Sequence, residues 1–495
     1  MLIPCPLLQS ILIPLIAAVV IAVAGKRLKE IVGWISCASL IYSTIMLILV
    51  GVKIWTGLIP IYEEYTWSEL AKLRFGLLAD GLSLPVALTV NLICATCAAY
   101  SIPYIRHRIE LIYGGDDWGL YRFYFTLYTF FAIGFTGISL STNLIEMYLF
   151  IELVLIPFYF LMDLFGYVDR HRIAIMCFIW SHVSAVLFLI GVVLAYVKIG
   201  SFEVSALSSL MGADAFLVCF FILIGLLVKM AVFGFHVWVP WVHAEHPTCI
   251  AAILATIVGL GNYIIVRLLV QHMLATFRIF SIPLMIWALI TMIYGAFLTL
   301  AQDDVKRLCA CSTISQNAYS LLGIASCTTL GVVGGVFYFI SHIIGKCVLF
   351  SIAGILVYQT GLRDMRRMGG LAGKMPLTAA LFVIGAMILS AIPPLSGFQA
   401  EWIMFVGIFR QGFHGSITGL LIALIGIFAT FLTLIYTFWP IKRIFFGPLP
   451  DDLRNVERAP YIMTIPLLIL AIISLMLGIY PDILMRFLNS AISTA

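Results

Sequence analysis

Residues 390–401 read Ser-Ala-Ile-Pro-Pro-Leu-Ser-Gly-Phe-Gln-Ala-Glu, inside an apolar run that extends from 376 to 409. The two prolines and the glycine cannot continue a regular helix, because proline lacks an amide hydrogen and clashes with the preceding turn. The run is still long enough to cross a bilayer, which takes about 20 apolar residues in a helix. Membrane proteins tolerate such an interruption only where it lines a cavity or is buried in protein. The stretch therefore predicts a discontinuous membrane helix, with Glu401 at the start of its second half.

Apolar runs of similar length recur along the whole chain. Of the 495 residues, 63% are hydrophobic and 10% are charged, whereas soluble proteins carry about 25% charged residues. The pattern predicts an all-α polytopic membrane protein without a soluble domain. It also disfavours nucleic-acid binding, because the basic residues are spread over short loops. The fourteen predicted spans are 7–24, 32–52, 77–100, 121–140, 143–163, 173–197, 214–234, 248–271, 280–300, 308–326, 332–358, 376–409, 416–440 and 460–484.

A second interruption is predicted in the seventh span, between Gly234 and Pro240. The two interruptions fall at corresponding places in two sets of five spans, which indicates two five-helix repeats. The predicted boundaries are 1–120 for an N-terminal three-helix segment, 121–271 for the first repeat, 280–440 for the second repeat, and 441–495 for a connector and the last helix.

The basic residues of the loops predict the orientation in the membrane. Eighteen of the 28 Lys and Arg residues follow odd-numbered spans and eight follow even-numbered spans or flank the ends. Positively charged loops remain on the cytoplasmic side. We therefore expect both termini on the outer side, in a prokaryotic plasma membrane rather than the mitochondrial inner membrane.

Five strongly ionisable residues lie deep in the apolar runs. Each costs roughly 2.5–3.5 kcal/mol at a helix centre on insertion scales. Ion pairs that lock helices together are one explanation, but the distribution of these residues and two histidines over five helices favours transport of an ion. The residues are Glu146, Glu152, Lys229, Lys346 and Glu401, with His182 and His342 at similar depth.

Helical spacing relates some of these side chains to each other. Glu146 and Glu152 are six residues apart and face about 120° away from each other, which disfavours one shared proton. His342 and Lys346 are four residues apart and stand on one helix face. His342 is expected to relay protons, with a helix–helix hydrogen bond as the alternative.

Three further histidines surround the interruption of the seventh span. They are His236, His243 and His246, and they either hold the turn or take part in conduction. Zinc is disfavoured, because the proline-interrupted segment offers no pair of ligands at helical spacing. Glu245 is expected to cap or pair locally. The loop with Asp303, Asp304, Lys306 and Arg307 is expected to be solvated, or else to guide ion entry.

No metal, cofactor or redox site is predicted within this chain. Cys94 and Cys97, like Cys309 and Cys311, have metal-like spacing but lack a second pair of ligands. The sequence also has no Gly-rich nucleotide loop and no pair of residues placed to ligate haem.

Several ordered stretches resemble the antiporter-like membrane subunits of respiratory complex I, of Mrp-type cation/proton antiporters and of membrane-bound hydrogenases. Together the matches cover most of residues 77–410. They are Asp80-Gly-Leu-Ser-Leu, Phe-Ile-Glu152-Leu-Val-Leu-Ile-Pro, Val-Lys229-Met, Phe-His236-Val-Trp-Val-Pro, His243-Ala-Glu245-His-Pro-Thr, Lys306-Arg307-Leu, Ser312-Thr-Ile-Ser315-Gln316, His342 with Lys346-Cys-Val-Leu-Phe, and Pro394-Leu-Ser-Gly397-Phe-Gln-Ala-Glu401.

The resemblance implies fourteen helices, two inverted five-helix repeats and one row of charged groups for ion translocation. Glu152 and Lys229 match the family's essential pair, and a glutamate at 401 favours the M-type subunit. His342 and Lys346 are the other expected members of the row. Additional candidates are Glu146, His182, His236 and Ser315.

The chain departs from the family pattern in two places. Its eighth span lacks the central lysine of many members, and Trp241 stands where an aspartate commonly follows Trp-x-Pro. These departures favour a hydrogenase-like or sulfur-reductase-like relative, in which His342 and Lys346 carry more of the relay.

Two functions follow from the resemblance, and a purely structural scaffold is a third. The favoured one is an ion-translocating subunit, for protons or sodium, of a redox-driven complex such as an NADH:quinone oxidoreductase, hydrogenase or sulfur reductase. Its Fe–S clusters, with flavin or Ni–Fe, are then expected in partner subunits, namely a peripheral redox arm beside other membrane subunits of the same family. The alternative is a subunit of a stand-alone Mrp-type antiporter.

Overall fold

A computed structural model describes residues 4–57, 59–69, 73–415 and 417–492. The chain forms two compact units. The first unit comprises Met1–Lys229, Tyr263–Ile279 and Arg486–Ala495, and the second comprises Met230–Asn262 and Phe280–Met485.

The described part of the chain is predominantly helical. In the N-terminal half the elements are α1 (Pro6–Leu28), α2 (Ile31–Gly57), β1 (Ile61–Ser68), β2 (Leu73–Ala79), α3 (Ser83–Tyr113), α4 (Trp118–Leu140), α5 (Leu144–Phe165), α6 (Arg170–Ile199), α7 (Gly212–Lys229), α8 (Val239–Glu245) and α9 (Thr248–Ile264). A π-helical turn at Ile265–Val270 extends α9. The remaining helices are α10 (Leu274–Phe277), α11 (Ser281–Leu300), α12 (Val305–Ala325), α13 (Thr329–Thr360), α14 (Pro376–Leu389), α15 (Ser396–Gly415), α16 (Ile417–Phe445), α17 (Tyr461–Ile479) and α18 (Asp482–Ala491).

Within the described ranges, 12 helices are long and apolar enough to cross a membrane. The predicted count of fourteen is therefore not confirmed. Two predicted spans account for the difference. The span 376–409 is divided into α14 and α15, and the span 308–326 corresponds to α12, whose polar side chains lower its mean hydropathy.

A β-hairpin between α2 and α3 was not predicted from the sequence. Strands β1 and β2 pair antiparallel, from Ile61 opposite Ala79 to Ser68 opposite Leu73. The carboxylate of Glu63 on β1 accepts hydrogen bonds from the amides of Leu7 and Leu8, each at 2.9 Å. The hairpin thus supplies the cap for the first turn of α1, which receives no side-chain cap from Cys5.

A buried ion pair joins the start of α3 to the end of α9 within the first unit. The Arg267 guanidinium donates to both carboxylate oxygens of Asp80, at 2.8 Å each. Burial alone raises the pKa of Asp80, but Arg267 and the amides of Leu82 and Ser83 outweigh it and lower that pKa to about 2. Asp80 is therefore ionised, and the pair ties the two elements together.

The segments that begin α5 and α12 share one backbone pattern. In each, two backbone hydrogen bonds join the residues around the helix N-cap to a segment that ends in a short 3₁₀ helix. In the first unit the bonds run from Val204 N to Thr142 O (2.9 Å) and from Leu144 N to Phe202 O (2.8 Å). In the second unit they run from Met365 N to Asp303 O (2.9 Å) and from Val305 N to Arg363 O (3.0 Å). The spacing between partners along the chain is the same in both sets.

Candidate functional site

The interruption of the seventh predicted span begins at the residue after Lys229, where α7 ends. Ala231 has a φ of 56° and Gly234 a φ of 95°, both in the left-handed region that terminates a helix. Pro240 does not cause the interruption. It lies in the first turn of α8, where a missing amide hydrogen costs nothing.

Side chains from neighbouring helices satisfy the backbone groups that this interruption exposes. Thr291 Oγ1 accepts from Phe233 N (2.9 Å), and Trp287 Nε1 donates to Phe233 O (2.8 Å). Asn317 Nδ2 of α12 donates to Met230 O (3.1 Å). Such partners are what irregular backbone needs at membrane depth.

Lys229 is placed at the end of α7 by close packing of that helix on α6. A Cβ on Gly225 would lie 2.6 Å from the backbone nitrogen of Phe188, so only glycine permits the contact. The Nζ of Lys229 is buried and has no hydrogen-bond partner among the described residues. It interacts electrostatically with Glu152 and with Cys177. The structure thus brings together the predicted Glu152–Lys229 pair.

Glu152 has a second basic neighbour in His182. The distance from Glu152 Oε1 to His182 Nδ1 is 3.7 Å, and the His182 side chain is 48% exposed. His182 also stacks on Phe178, with the ring planes at 10°. The carboxylate therefore lies between a buried lysine and an exposed histidine.

The second unit holds a cluster of buried nitrogen bases. Lys346 Nζ donates to the carbonyl oxygen of Cys309 (2.9 Å) and to the hydroxyl of Ser312. His342 and His243 are fully buried, and neither ring has a hydrogen-bond partner among the described residues. Both interact electrostatically with Lys346. The sequence placed His342 and Lys346 on one face but left the role of His243 open.

A polar seam between α12 and α13 continues from this cluster. Tyr338 lies two turns before Lys346 on the same face of α13, and its hydroxyl donates to Gln316 Oε1 (2.8 Å). Gln316 Nε2 in turn donates to the Tyr436 hydroxyl (2.7 Å), and Tyr319 stacks on Tyr338 at 5.2 Å. This seam explains the polar composition of α12.

The seam ends at Glu401 on α15. Tyr319, Tyr338 and Tyr436 all interact electrostatically with its carboxylate. The tyrosines were not among the predicted site residues. Their signal was the spacing of Ser312, Gln316 and Tyr319 along one face of a helix that also contacts Lys346.

The additional candidates have specific local partners. Glu146 Oε2 accepts from Gly76 N of the hairpin (3.1 Å). Ser315 donates to the Met292 carbonyl (2.8 Å), so its hydroxyl joins α12 to α11. His236 Nδ1 accepts from Gly234 N (3.2 Å), and its ring lies between Phe233 and Tyr294. The geometry of His236 fits a role in holding the turn.

The loop before α12 is not the solvated segment that the sequence suggested. Lys306 is fully buried and donates to the His246 carbonyl (2.7 Å), while Asp304 caps α12. Arg363 bridges Asp304 (2.7 Å) and Glu245 (3.1 Å). The solvated expectation was wrong for Lys306, because its partners come from segments distant in the sequence, whereas Asp303 remains 43% exposed. Glu245 is paired, as expected, but with a residue remote in sequence.

A close helix contact lies in the middle of the eighth predicted span. A Cβ on Gly259 of α9 would lie 2.4 Å from the ring of Phe339, so this position cannot hold a long side chain as the helices are placed. Thr256, one turn earlier, has a buried hydroxyl without a partner among the described residues. In the same ranges, no group of three or more His, Cys, Asp or Glu side chains is arranged to hold a metal ion.

Residues 141–433 match the family described as NADH:quinone oxidoreductase/Mrp antiporter, TM. NADH-quinone oxidoreductase subunit M of Rickettsia prowazekii is 28% identical over 479 residues, covering 94% of this chain and 93% of that protein. F(420)H(2) dehydrogenase subunit M of Methanosarcina mazei is 28% identical over 491 residues, covering 95% and 94%.

Solved structures show the same fold. A chain of the Mrp complex from Dietzia sp. has a TM-score of 0.86 at 21% identity, with 99% of this chain and 97% of that chain covered. A chain of respiratory complex I from Thermus thermophilus has the same score and identity, with 98% of each chain covered. A chain of an archaeal membrane-bound sulfane sulfur reductase scores 0.83 at 24% identity, with 98% and 77% covered. With the family match over more than half of its length, the chain belongs to the NADH:quinone oxidoreductase/Mrp antiporter family and resembles its M-type members.

Proposed function

We propose that this chain translocates protons as a membrane subunit of a redox-driven respiratory complex. The observation that carries the proposal is the set of buried ionisable groups, Lys229, His342, Lys346 and Glu401, placed at helix interruptions and along the polar seam. Keeping such groups in membrane helices is costly, which favours a functional use. Relatives over nearly the whole chain are M subunits of oxidoreductases.

In this proposal Glu152 and Lys229 form a switchable ion pair. At a separation of about 6 Å and an effective dielectric constant near 20, their attraction is about 2.8 kcal/mol. Desolvation of a buried lysine acts in the opposite direction with a similar magnitude. Displacement of the Glu152 carboxylate then releases the proton of Lys229, and its return recharges the lysine.

In the second unit the proton moves along bases and hydroxyl groups. His243, His342 and Lys346 receive it through water, and the hydroxyls of Tyr338 and Tyr436 lead toward Glu401. Glu401 gives the proton up to the outer side. Lysine and histidine bases suit protons; carboxylates with hydroxyl neighbours suit sodium, which is the second candidate ion.

We further propose that 121–271 and 280–440 are inverted repeats. The matched backbone bonds that begin α5 and α12 support this, as do the two helix interruptions. Five crossings in the first repeat make the second start from the opposite side of the membrane. With the basic loops inside, both termini lie outside.

The driving reaction is assigned to partner subunits. A peripheral arm with Fe–S clusters, and flavin or Ni–Fe, would deliver the electrons. The alternative is a subunit of an Mrp-type antiporter, which uses an existing ion gradient. The fold is common to both classes, but the M-subunit relatives favour the redox-driven complex.

Purification of the tagged protein in mild detergent, with partners identified by mass spectrometry, separates the two. Co-purifying Fe–S, nickel or flavin subunits are the expected result and name the electron donor. Recovery of only membrane partners without a redox centre would contradict the proposal and indicate an antiporter. The donor so identified then drives proton uptake into inverted vesicles, followed with a pH-sensitive dye.

A further inference from the structure

A polar cavity of about 450 Å³ lies in the first unit, on the side that the loop charges predict to be outside. Its wall combines the hairpin, the segment before α5 and the end of α9. Glu203, Thr142, Tyr62 and His272 line it with polar atoms. Glu203 is half-buried and accepts a hydrogen bond from Asn143 Nδ2 (3.3 Å). A cavity of this size holds several water molecules.

Glu146 does not line the cavity but contacts residues next to its wall. Gly76 lies between Glu146 and the cavity. Its amide donates to Glu146 Oε2, and its Cα is so close to Thr142 of the cavity wall that an added Cβ would lie 2.1 Å from the Thr142 hydroxyl. Glu146 is 2% exposed, and the hydroxyl of Ser141, which lines the cavity, interacts with its carboxylate. Glu203 also acts electrostatically on Glu146.

The same helix connects Glu146 to the predicted ion pair. Glu152 is six residues further along α5, a rise of about 9 Å and a rotation of about 120° around the helix, so transfer between the two carboxylates requires a chain of water molecules. A buried carboxylate that interacts with the wall of a polar cavity and lies on the same helix as Glu152 has more than an anchoring role for the hairpin. Anchoring uses only Oε2, and a neutral amide could provide it without the cost of a buried acid.

We propose that this cavity is an ion port from the outer side to the first repeat, in which Glu203 exchanges the ion with solvent and Glu146 passes it to or from Glu152. The inference rests on the proposed function. It adds an outer access separate from Glu401, so that the first repeat exchanges ions with the outside by its own route. Burial raises the pKa of Glu203, which assists proton uptake from solution.

Thiol labelling tests whether the port opens to the outside. The variant Ser205→Cys places a thiol on the cavity wall, in a Cys5→Ser background that removes the one exposed cysteine of the described residues. A membrane-impermeant maleimide should label it in intact cells, and labelling should reduce proton translocation. Ser209→Cys, exposed but outside the cavity lining, should be labelled without that effect. Absence of labelling at 205 from the outside overturns the proposal.

Charge-neutral variants test the carboxylates. Glu146→Gln and Glu203→Gln keep an oxygen to accept from Gly76 and Asn143, and the complex should assemble. Proton translocation should fall roughly tenfold or more, as for loss of a proton-transfer group. Asp214→Asn, an exposed acid paired with Lys198, is the control and should leave translocation unchanged.

The outcomes separate the port from the proposed function. Full translocation in Glu146→Gln and Glu203→Gln, with loss in Lys229→Ala, overturns the port and leaves the function standing. Full translocation in Lys229→Ala as well contradicts the function itself. Poor assembly of Glu146→Gln alone would reduce Glu146 to an anchor of the hairpin and also overturn the port.

Discussion

The two helix interruptions reach similar backbone shapes by different means. The α7–α8 interruption turns at Ala231 and the α14–α15 interruption at Ala391, with φ values of 56° and 51°. At the first, side chains of Thr291, Trp287 and Asn317 satisfy the exposed backbone groups. At the second, backbone groups of the same segment bond to each other.

Local backbone hydrogen bonds close the second interruption. Ser390 N donates to Ala386 O and Ile392 N to Met387 O, each at 3.0 Å, and Leu395 N donates to Ile392 O (3.2 Å). Two prolines follow Ile392 and have no amide hydrogen to satisfy. Its outer contacts include the hydroxyl pair of Ser396 with Ser474 (2.7 Å) and a bond from Ser396 N to Ser474 Oγ (3.4 Å).

Because their hydrogen-bond partners differ in origin, the two helix interruptions should differ in how easily they move. Proline restricts the backbone of the second interruption, and bonds within the same segment close most of its turn. The first has no proline between Met230 and Val239, and its conformation depends on partners carried by α11 and α12. A small movement of those helices can therefore change the backbone next to Lys229. We infer that the first interruption is the element that switches and the second is a fixed support for Glu401.

Loss of the charge beside each interruption should have the largest effect. Lys229→Ala should abolish proton translocation, at least about a hundredfold, because it removes the charge that the proposed switch with Glu152 discharges and restores. Glu401→Gln should also abolish net translocation but leave the Glu152–Lys229 exchange intact. Proton uptake into inverted vesicles measures the loss of net translocation in both variants.

A single-turnover measurement separates the two variants. After one electron-transfer event, Glu401→Gln should still take up a proton that it cannot release, and Lys229→Ala should take up none. Lys198→Ala, which removes an exposed lysine at the end of α6, is the matched control. Normal pumping by Lys229→Ala would refute the switch.

Removal of a partner of the first interruption should have the second-largest effect. Asn317→Leu leaves the Met230 carbonyl without its side-chain donor and the Asn262 amide without its acceptor, which lies at 2.7 Å. Each unpaired buried group costs about 1–3 kcal/mol, so the loss of stability for the two groups is about 2–6 kcal/mol. A dye that fluoresces on reaction with the buried cysteines reports thermal unfolding in detergent.

The same variant should also slow translocation, because the interruption loses its orientation beside Lys229. Asn91→Leu in α3 is the control, since it removes a buried amide that donates to Leu40 O (3.1 Å) and has no contact with either interruption. It should reduce stability and leave translocation per complex unchanged. Equal effects of the two variants on translocation would show that the first interruption is as rigid as the second.

The contrast also explains what the sequence could predict. The prolines near 393 placed the second interruption correctly, because its cause is local. The first was correctly expected after Lys229, from the signals of Gly234 and Pro240, but its partners Thr291 and Asn317 lie on other helices and could not be predicted. Helical spacing likewise grouped His342 with Lys346.

Spacing along the sequence could not predict contacts between residues of different helices. Nothing in the spacing along α8 distinguishes His243 from its neighbours, and its place near Lys346 depends on packing against α13. Three other features also depend on tertiary packing: the tyrosine seam, the β-hairpin and the burial of Lys306. Motif resemblance supplied the Glu152–Lys229 pair, which periodicity alone could not join across two helices.

The smallest effect is expected at the second interruption. Ser390→Ala removes a hydroxyl pair with Thr437 (2.6 Å), but Thr437 still donates to Thr433 O (2.8 Å) and no buried group is left unpaired. The loss should be about 0.5–1.5 kcal/mol, the net value of one hydrogen bond. Thr291→Val, its counterpart at the first interruption, strands the Phe233 amide and should cost about 1–3 kcal/mol. Thermal unfolding measured as for Asn317→Leu compares them. A larger loss in Ser390→Ala would mean that neighbours, rather than local bonds and prolines, hold the second interruption as well.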